Sequence, residues 1–260
     1  MKKTLTVCAL GWLALVPGVL VAEDAGQKAA ANKVAGFTLS GNLTLVNDYV
    51  SRGISASDHG PALQGTFNAN HESGFYLSLF GSSVDLNNGD GTALELDPTL
   101  GFTKEWSNGV SIDVGLLQYL YPKAPAGINY NYLEYFMGAG YKLSNTALKA
   151  KYFYSNDNMG SGNASSYLDT QLTYAIPDLT YPVTLRGHYG LAFGDFVKVP
   201  ARAINRSVSH YSDYSVGVAV ELPAGLGVGL DYVGVDSDGR ALNTAWHGHD
   251  RLILSLSKSF

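Results

Sequence analysis

Cysteine is almost absent: Cys8 is the only one in 260 residues, and it lies inside an N-terminal apolar run. A disulfide framework and a cysteine-built metal site are therefore excluded from everything downstream. Charge is scarce too. Asp, Glu, Lys and Arg make up 15% of the chain, against roughly 25% in an ordinary soluble domain, so something other than water is expected to cover part of the surface. No basic cluster occurs, which argues against a nucleic-acid partner. Beyond the N-terminus, no apolar run is long enough for a membrane helix, and no stretch carries a convincing helical period.

The N-terminus itself reads as a secretory signal peptide. Lys2 and Lys3 precede LTVCALGWLALVPGVLVA, which ends on the small residue Ala22 before EDAG. Pro17 and Gly18 break the run, and the apolar core is short for an uncleaved anchor. The expected organisation is a signal peptide over 1–22, a flexible periplasmic linker over 23–36 and a barrel over 37–260. Of the 17 Lys and Arg, the signal removes two, leaving 15 against 22 acids, or −7.

What recurs is alternation with period two. In DYSVGVAVEL, Tyr214, Val216, Val218, Val220 and Leu222 alternate with Ser215, Gly217, Ala219 and Glu221. Phe37, Leu39, Leu43 and Leu45 likewise oppose Thr38, Ser40, Asn42 and Thr44. About twelve such segments can be counted, near 37–50, 62–71, 75–84, 94–106, 109–121, 132–142, 146–155, 166–175, 183–193, 212–222, 226–235 and 250–260. The connections alternate without exception between short turns, such as HESG, SNG and LSN, and long loops, such as RGISASDHGP and GDFVKVPARAINRSVSHYSD. The expected fold is all-β: a transmembrane antiparallel up-and-down β-barrel with short periplasmic turns and long extracellular loops. A soluble β-sandwich also alternates, but it buries its apolar face and needs no tyrosines at both ends of it. Here Tyr49, Tyr135, Tyr154 and Tyr232, among others, gather near strand ends, where an amphipathic ring suits the membrane interface. Pro98 disagrees: a barrel has no edge strand on which to hide a missing N–H, so a strand start or a bulge is expected there.

A family resemblance rests on residues spread over the whole mature chain. GNLTLVNDYVSRGIS, PALQG, ESGFYLSLFGSSVD, Glu95–Leu96, YLYP, the NY and E of NYLEYF, YSDYSVGVAVEL and the terminal LSKSF together resemble the TorF family of porins, also called the Gcw_chp family. The resemblance implies a Gram-negative outer-membrane barrel with a pore, and names no substrate. The terminal Phe260 resembles the signal read by the barrel-assembly machinery.

Catalytic arrangements are not evident. Of the histidines, His59, His71, His210, His247 and His249 fall in loops or turns, and His188 in a strand has no Gly-x-Ser-x-Gly elbow beside it. HGHD, His247–Asp250, lacks the rest of a metal-ligand set and reads as a solvated loop. No catalytic residue, metal or cofactor is expected.

The lumen-facing charges remain. Strand parity places Asp48, Glu95, Asp97, Asp113, Glu134, Glu221 and Asp231 inward, with Lys149, Lys151, Arg186 and Arg251 opposing them. They can line a narrow pore or act as paired structural charges. The expected function is an outer-membrane channel for passive passage of small hydrophilic solutes or ions. The alternatives are a closed, structural or surface-presenting barrel and, further off, a lipid-modifying enzyme. Expected partners are outer-membrane lipid, the assembly machinery and small solutes, without nucleic acid. In NDYVSRGIS, parity puts Tyr49 outward at the edge of the lipid band and Arg52 inward, with Asp250 and Asp236 as candidate partners of Arg52.

Overall fold

The computed structural model describes residues 33–86, 89–198, 207–246 and 249–260, without the side chains of 33–34 and 243–246. The signal peptide, most of the linker segment and His247 lie outside the described residues. In chain order the strands are β1 (Lys33–Val34), β2 (Phe37–Val46), β3 (Val50–Ser51), β4 (Ile54–Ser55), β5 (Ala62–His71), β6 (Phe75–Ser83), β7 (Leu94–Glu105), β8 (Val110–Tyr119), β9 (Tyr132–Leu143), β10 (Thr146–Ser155), β11 (Ser165–Ile176), β12 (Val183–Gly194), β13 (His210–Leu222), β14 (Leu226–Val235) and β15 (Arg251–Ser259).

Twelve of these, β2 and β5 through β15, form a closed antiparallel barrel. Each pairs with the next, and β2 closes the ring by pairing with both β5 and β15. Closure matters because a lipid phase offers no water to unpaired backbone groups. Lys33–Val34, at the end of the linker segment, pair with Phe37 and Thr38. Nine to thirteen residues per barrel strand are enough to cross a bilayer at a tilt. No described helix is long and apolar enough to cross a membrane.

Burial is inverted relative to a soluble protein. Leu63 and Leu252 are 60% exposed on the outside, whereas Asp113 is 0% and Glu134 1% exposed on the inside. Alternation along each strand sends apolar side chains outward and polar ones inward. An outer wall of this kind is stable only against lipid or detergent.

Three local expectations are corrected. The first strand ends at Val46 rather than near residue 50. Asn47 ends the ladder: its side chain donates to the Leu252 carbonyl at 3.0 Å and accepts from Leu254 N at 2.8 Å. Past it the chain turns into the barrel, so strand parity no longer applies; Tyr49 is buried inside, not facing lipid.

Pro98 neither starts a strand nor makes a bulge. Leu96 lies opposite Leu120, and Leu100 opposite Leu116, one unchanged register with a gap between them. Pro98 keeps its place opposite Leu79 on the β6 side, so the missing N–H interrupts the ladder toward β8 alone.

The last long loop also contains a helix, Ser237–Trp246. Asp236 starts it, its carboxylate accepting from Gly239 N at 2.8 Å while its carbonyl accepts from Arg240 N. This is N-capping by a short acidic side chain.

The interior differs at its two ends. Strands β5, β13 and β14 are buried toward the long loops and only half-buried toward the chain termini. A cluster including Leu117, Tyr119, Tyr121, Phe136, Phe153, Tyr167 and Tyr211 packs near the long loops, with Val197, Val208 and Leu242 contributed by those loops. At the termini end the inward positions carry small polar groups such as Ser40, Asn68 and Thr173. The expected placement of the long loops outside the cell has a direct test: a cysteine at exposed Ser161, between β10 and β11, should react with a membrane-impermeant maleimide on intact cells. One at exposed Asn108, in the β7–β8 turn, should not. The opposite pattern would invert the topology.

Candidate functional site: the charged interior

The deepest charges are paired across strands. Lys151 on β10 meets Asp113 on β8 at 2.6 Å, and Tyr76 donates to the other Asp113 oxygen at 2.9 Å. The ammonium also lies 4.5 Å from the Phe136 ring centre, a cation–π contact in a dry environment. Arg186 on β12 reaches Asp231 on β14 through two nitrogens, Nε at 2.6 Å from Oδ1 and a second bond to Oδ2. Fork-to-carboxylate pairing of this kind is directional as well as strong.

His188 sits between two acids. Nδ1 lies 2.8 Å from Asp169 and Nε2 2.8 Å from Asp213. Carboxylates can only accept, so both ring nitrogens meet acceptors, a geometry that suits the imidazolium. Tyr167 adds a bond to Asp213 at 3.0 Å. Asp169 and Asp213 were absent from the inward set read from sequence, although the same parity selects both.

Near the long loops two further centres occur. Glu95 accepts from Tyr49 at 2.5 Å and from Tyr121 at 2.6 Å, with Asp97 beside it on the same face of β7. Burial first, and the Glu95 charge second, push the Tyr49 and Tyr121 hydroxyls well above their usual range, so both remain protonated donors. One Asp97 oxygen is buried without a hydrogen-bond partner among the described residues.

Arg52 forms the second centre. Its two terminal nitrogens bind the two Glu134 oxygens at 2.7 and 2.6 Å, and its guanidinium lies 4.5 Å from the Tyr167 ring centre. Burial is the largest single influence and opposes its charge, but the Glu134 carboxylate together with the neighbouring Tyr119 and Tyr132 raises its pKa above the usual range. The inward placement of Arg52 matches the reading of the sequence; its partner does not. Asp250 accepts from Arg240 and Tyr232 at the rim, and Asp236 caps the helix, so neither is available to Arg52. Asp48 pairs instead with Arg251 at 2.5 Å and with Ser55 at 2.6 Å, tying the start of the loop to β15. Lys149 shares the inward parity of Lys151 nearer the termini, where it is half-buried, and Glu221 is half-buried at that end of β13.

Solved structures with the same architecture are porins. A NanC porin superposes with a TM-score of 0.54 at 10% identity, covering 86% of this chain and 99% of its own. A KdgM porin gives 0.53 at 10% identity, covering 85% and 99%. A second KdgM structure, in complex with disordered oligogalacturonate, gives 0.51 at 9% identity, covering 85% and 98%. At such identities the likeness establishes the fold, a closed barrel of the outer-membrane porin type. No curated protein matches by sequence. The family model described as "Bacterial protein of unknown function (Gcw_chp)" matches residues 30–260, and with that span the chain belongs to the Gcw_chp family.

Proposed function

We propose that the protein is an outer-membrane porin whose lumen passes small hydrophilic solutes or ions passively. The observation that carries this is the inverted wall: apolar outside, and inside a continuous set of charges and hydroxyls that a purely structural barrel of this width does not require. The TorF porin reading from sequence agrees with it. Asp48, Arg52, Glu95, Asp97, Asp113, Glu134, Lys149, Lys151, Arg186 and Asp231 then line or narrow the path.

Acids exceed bases along that path. Glu95 is held by two tyrosines rather than a cation, Asp97 lies beside it without a salt bridge among the described residues, and His188 is shared by two carboxylates. A negative lumen favours cations and neutral solutes and repels polyanions. The oligogalacturonate in the KdgM complex is such a polyanion, so a different solute class is expected here.

The packed long-loop end favours the second reading, a closed barrel presenting loops at the surface. Single-channel recording on the purified, reconstituted barrel separates the two. Discrete conductance steps with cation preference are expected; a folded, inserted barrel that never conducts supports the closed reading.

A further inference from the structure

The connection between β2 and β5, residues 47–61, does not stay outside the barrel. It forms the small hairpin of β3 and β4 and projects Arg52 into the interior. Glu134, which receives the guanidinium, stands on β9, five strands from β2 in one direction around the ring and seven in the other. The Arg52–Glu134 bond therefore runs from a loop rooted on one wall to nearly the opposite wall. Two more contacts seat the hairpin tip. The Tyr211 hydroxyl on β13 donates to the Arg52 carbonyl at 3.1 Å. Arg52 and Gly53 both adopt positive φ, 51° and 78°, and a β-carbon at Gly53 would collide with Val235 and Asp213 on the wall, so the turn needs glycine there.

The base of the hairpin is tied separately, through Asp48 to Ser55, Ser57 and Arg251. A root fixed at one wall and a tip whose only salt bridge to the far wall, among the described residues, is one charged fork, with the Tyr211 bond and the Gly53 seat beside it, is the arrangement of a latched plug. Resting on the channel reading above, we propose that residues 47–61 plug the lumen at its long-loop end and that Arg52–Glu134 is the latch, so that these two residues set the size and charge of what passes.

Release of the fork leaves the root in place and takes away the tip's charged tie to the far wall, so that only the Tyr211 bond and the Gly53 seat hold it. The wall that the tip leaves, from β7 to β9, then presents Glu95, Asp97 and Glu134, all acids. Unlatching should therefore widen the path and make it more cation-selective together, two effects that a general loss of stability would not couple.

The test is single-channel recording on wild-type, Arg52→Ala, the near-isosteric Glu134→Gln, and the charge swap Arg52→Glu with Glu134→Arg. Asp195→Ala serves as control, since that side chain pairs with Lys198 in an exposed contact outside the latch. Folding of each is checked by heat-modifiable migration, and Glu134→Gln keeps the test alive should Arg52→Ala fail to fold. Arg52→Ala and Glu134→Gln should raise conductance about twofold or more, as relief of a constriction does. Arg52→Ala should also shift cation-over-anion permeability by about fivefold, the Boltzmann factor for one unit charge at about 4 Å through water. The swap should return part of the wild-type closure, and the Asp195 variant should match wild-type. If wild-type conducts and the folded latch variants conduct identically, the latch is wrong and the channel stands. If wild-type and all folded variants are silent, the channel reading itself fails, and the latch with it.

Discussion

Replacing Asp113 with alanine is expected to cost about 3–5 kcal/mol of barrel stability, the usual penalty for leaving one member of a buried ion pair without the other. Lys151 would remain at 5% side-chain exposure with its carboxylate gone, and the Phe136 ring cannot replace a full charge. The temperature at which the folded band converts to the unfolded band on a gel should fall accordingly. Removing the cation as well, as in Asp113→Ala with Lys151→Met, should recover most of the loss, because an apolar replacement of both partners avoids the uncompensated charge. A single Asp113→Ala variant as heat-resistant as the parent would mean that water reaches this pair freely. The packed interior described above would then be wrong.

The second large effect concerns the seam. β2 and β15 pair only from Ser255 to Ser259, a shorter register than the ladder from Phe37 to Val46 on the other side of β2. Phe260 extends the seam, donating to the Gly41 carbonyl at 3.0 Å and accepting from Gly41 N at 2.9 Å. Its ring covers Gly41 so closely that a β-carbon there would overlap it. Deleting Phe260 removes both bonds, about 2 kcal/mol at about 1 kcal/mol each, together with the ring. The yield of folded protein in the outer membrane should drop about tenfold or more, since 1.4 kcal/mol is already a factor of ten. Gly41→Val tests whether the seat matters apart from recognition, because it keeps Phe260 but displaces its ring. Loss in both variants supports a seam role; loss in the deletion alone assigns Phe260 to recognition by the assembly machinery. Normal yield in both would leave the terminal residue without either role.

The barrel was legible because its strands obey one rule throughout. A period of two, broken by turns of alternating length, located β5 (Ala62–His71), β10 (Thr146–Ser155) and β14 (Leu226–Val235) at the bounds found in the structure. The rule holds only while the chain remains in the ladder. At Asn47 the backbone N–H still donates to the Leu254 carbonyl but the side-chain amide takes the place of the backbone carbonyl as acceptor, the chain turns inward, and the parity that assigned Tyr49 to lipid carries no information beyond that point. Glu134 could be placed inward from its own strand. Its partner could not be identified, because the bond joins residues 82 positions apart through a loop whose course depends on the finished barrel. The helix at Ser237–Trp246 escaped for a different reason. Its apolar residues are few, and its clearest signal is a single capping acid, Asp236. Asp169 and Asp213 were legible and overlooked: each alternates with an outward-facing neighbour, Leu168 and Tyr214, by the rule that selected the other acids.

On the proposed function, a lumen with excess acid lies inside an apolar wall and conducts. Single-channel recording of the purified barrel in a planar bilayer under a potassium chloride gradient tests it most directly. The expected result is discrete steps whose reversal potential has the sign of cation preference. Steps with anion preference would contradict the acidic lumen, and a correctly folded, inserted barrel without steps would contradict the channel.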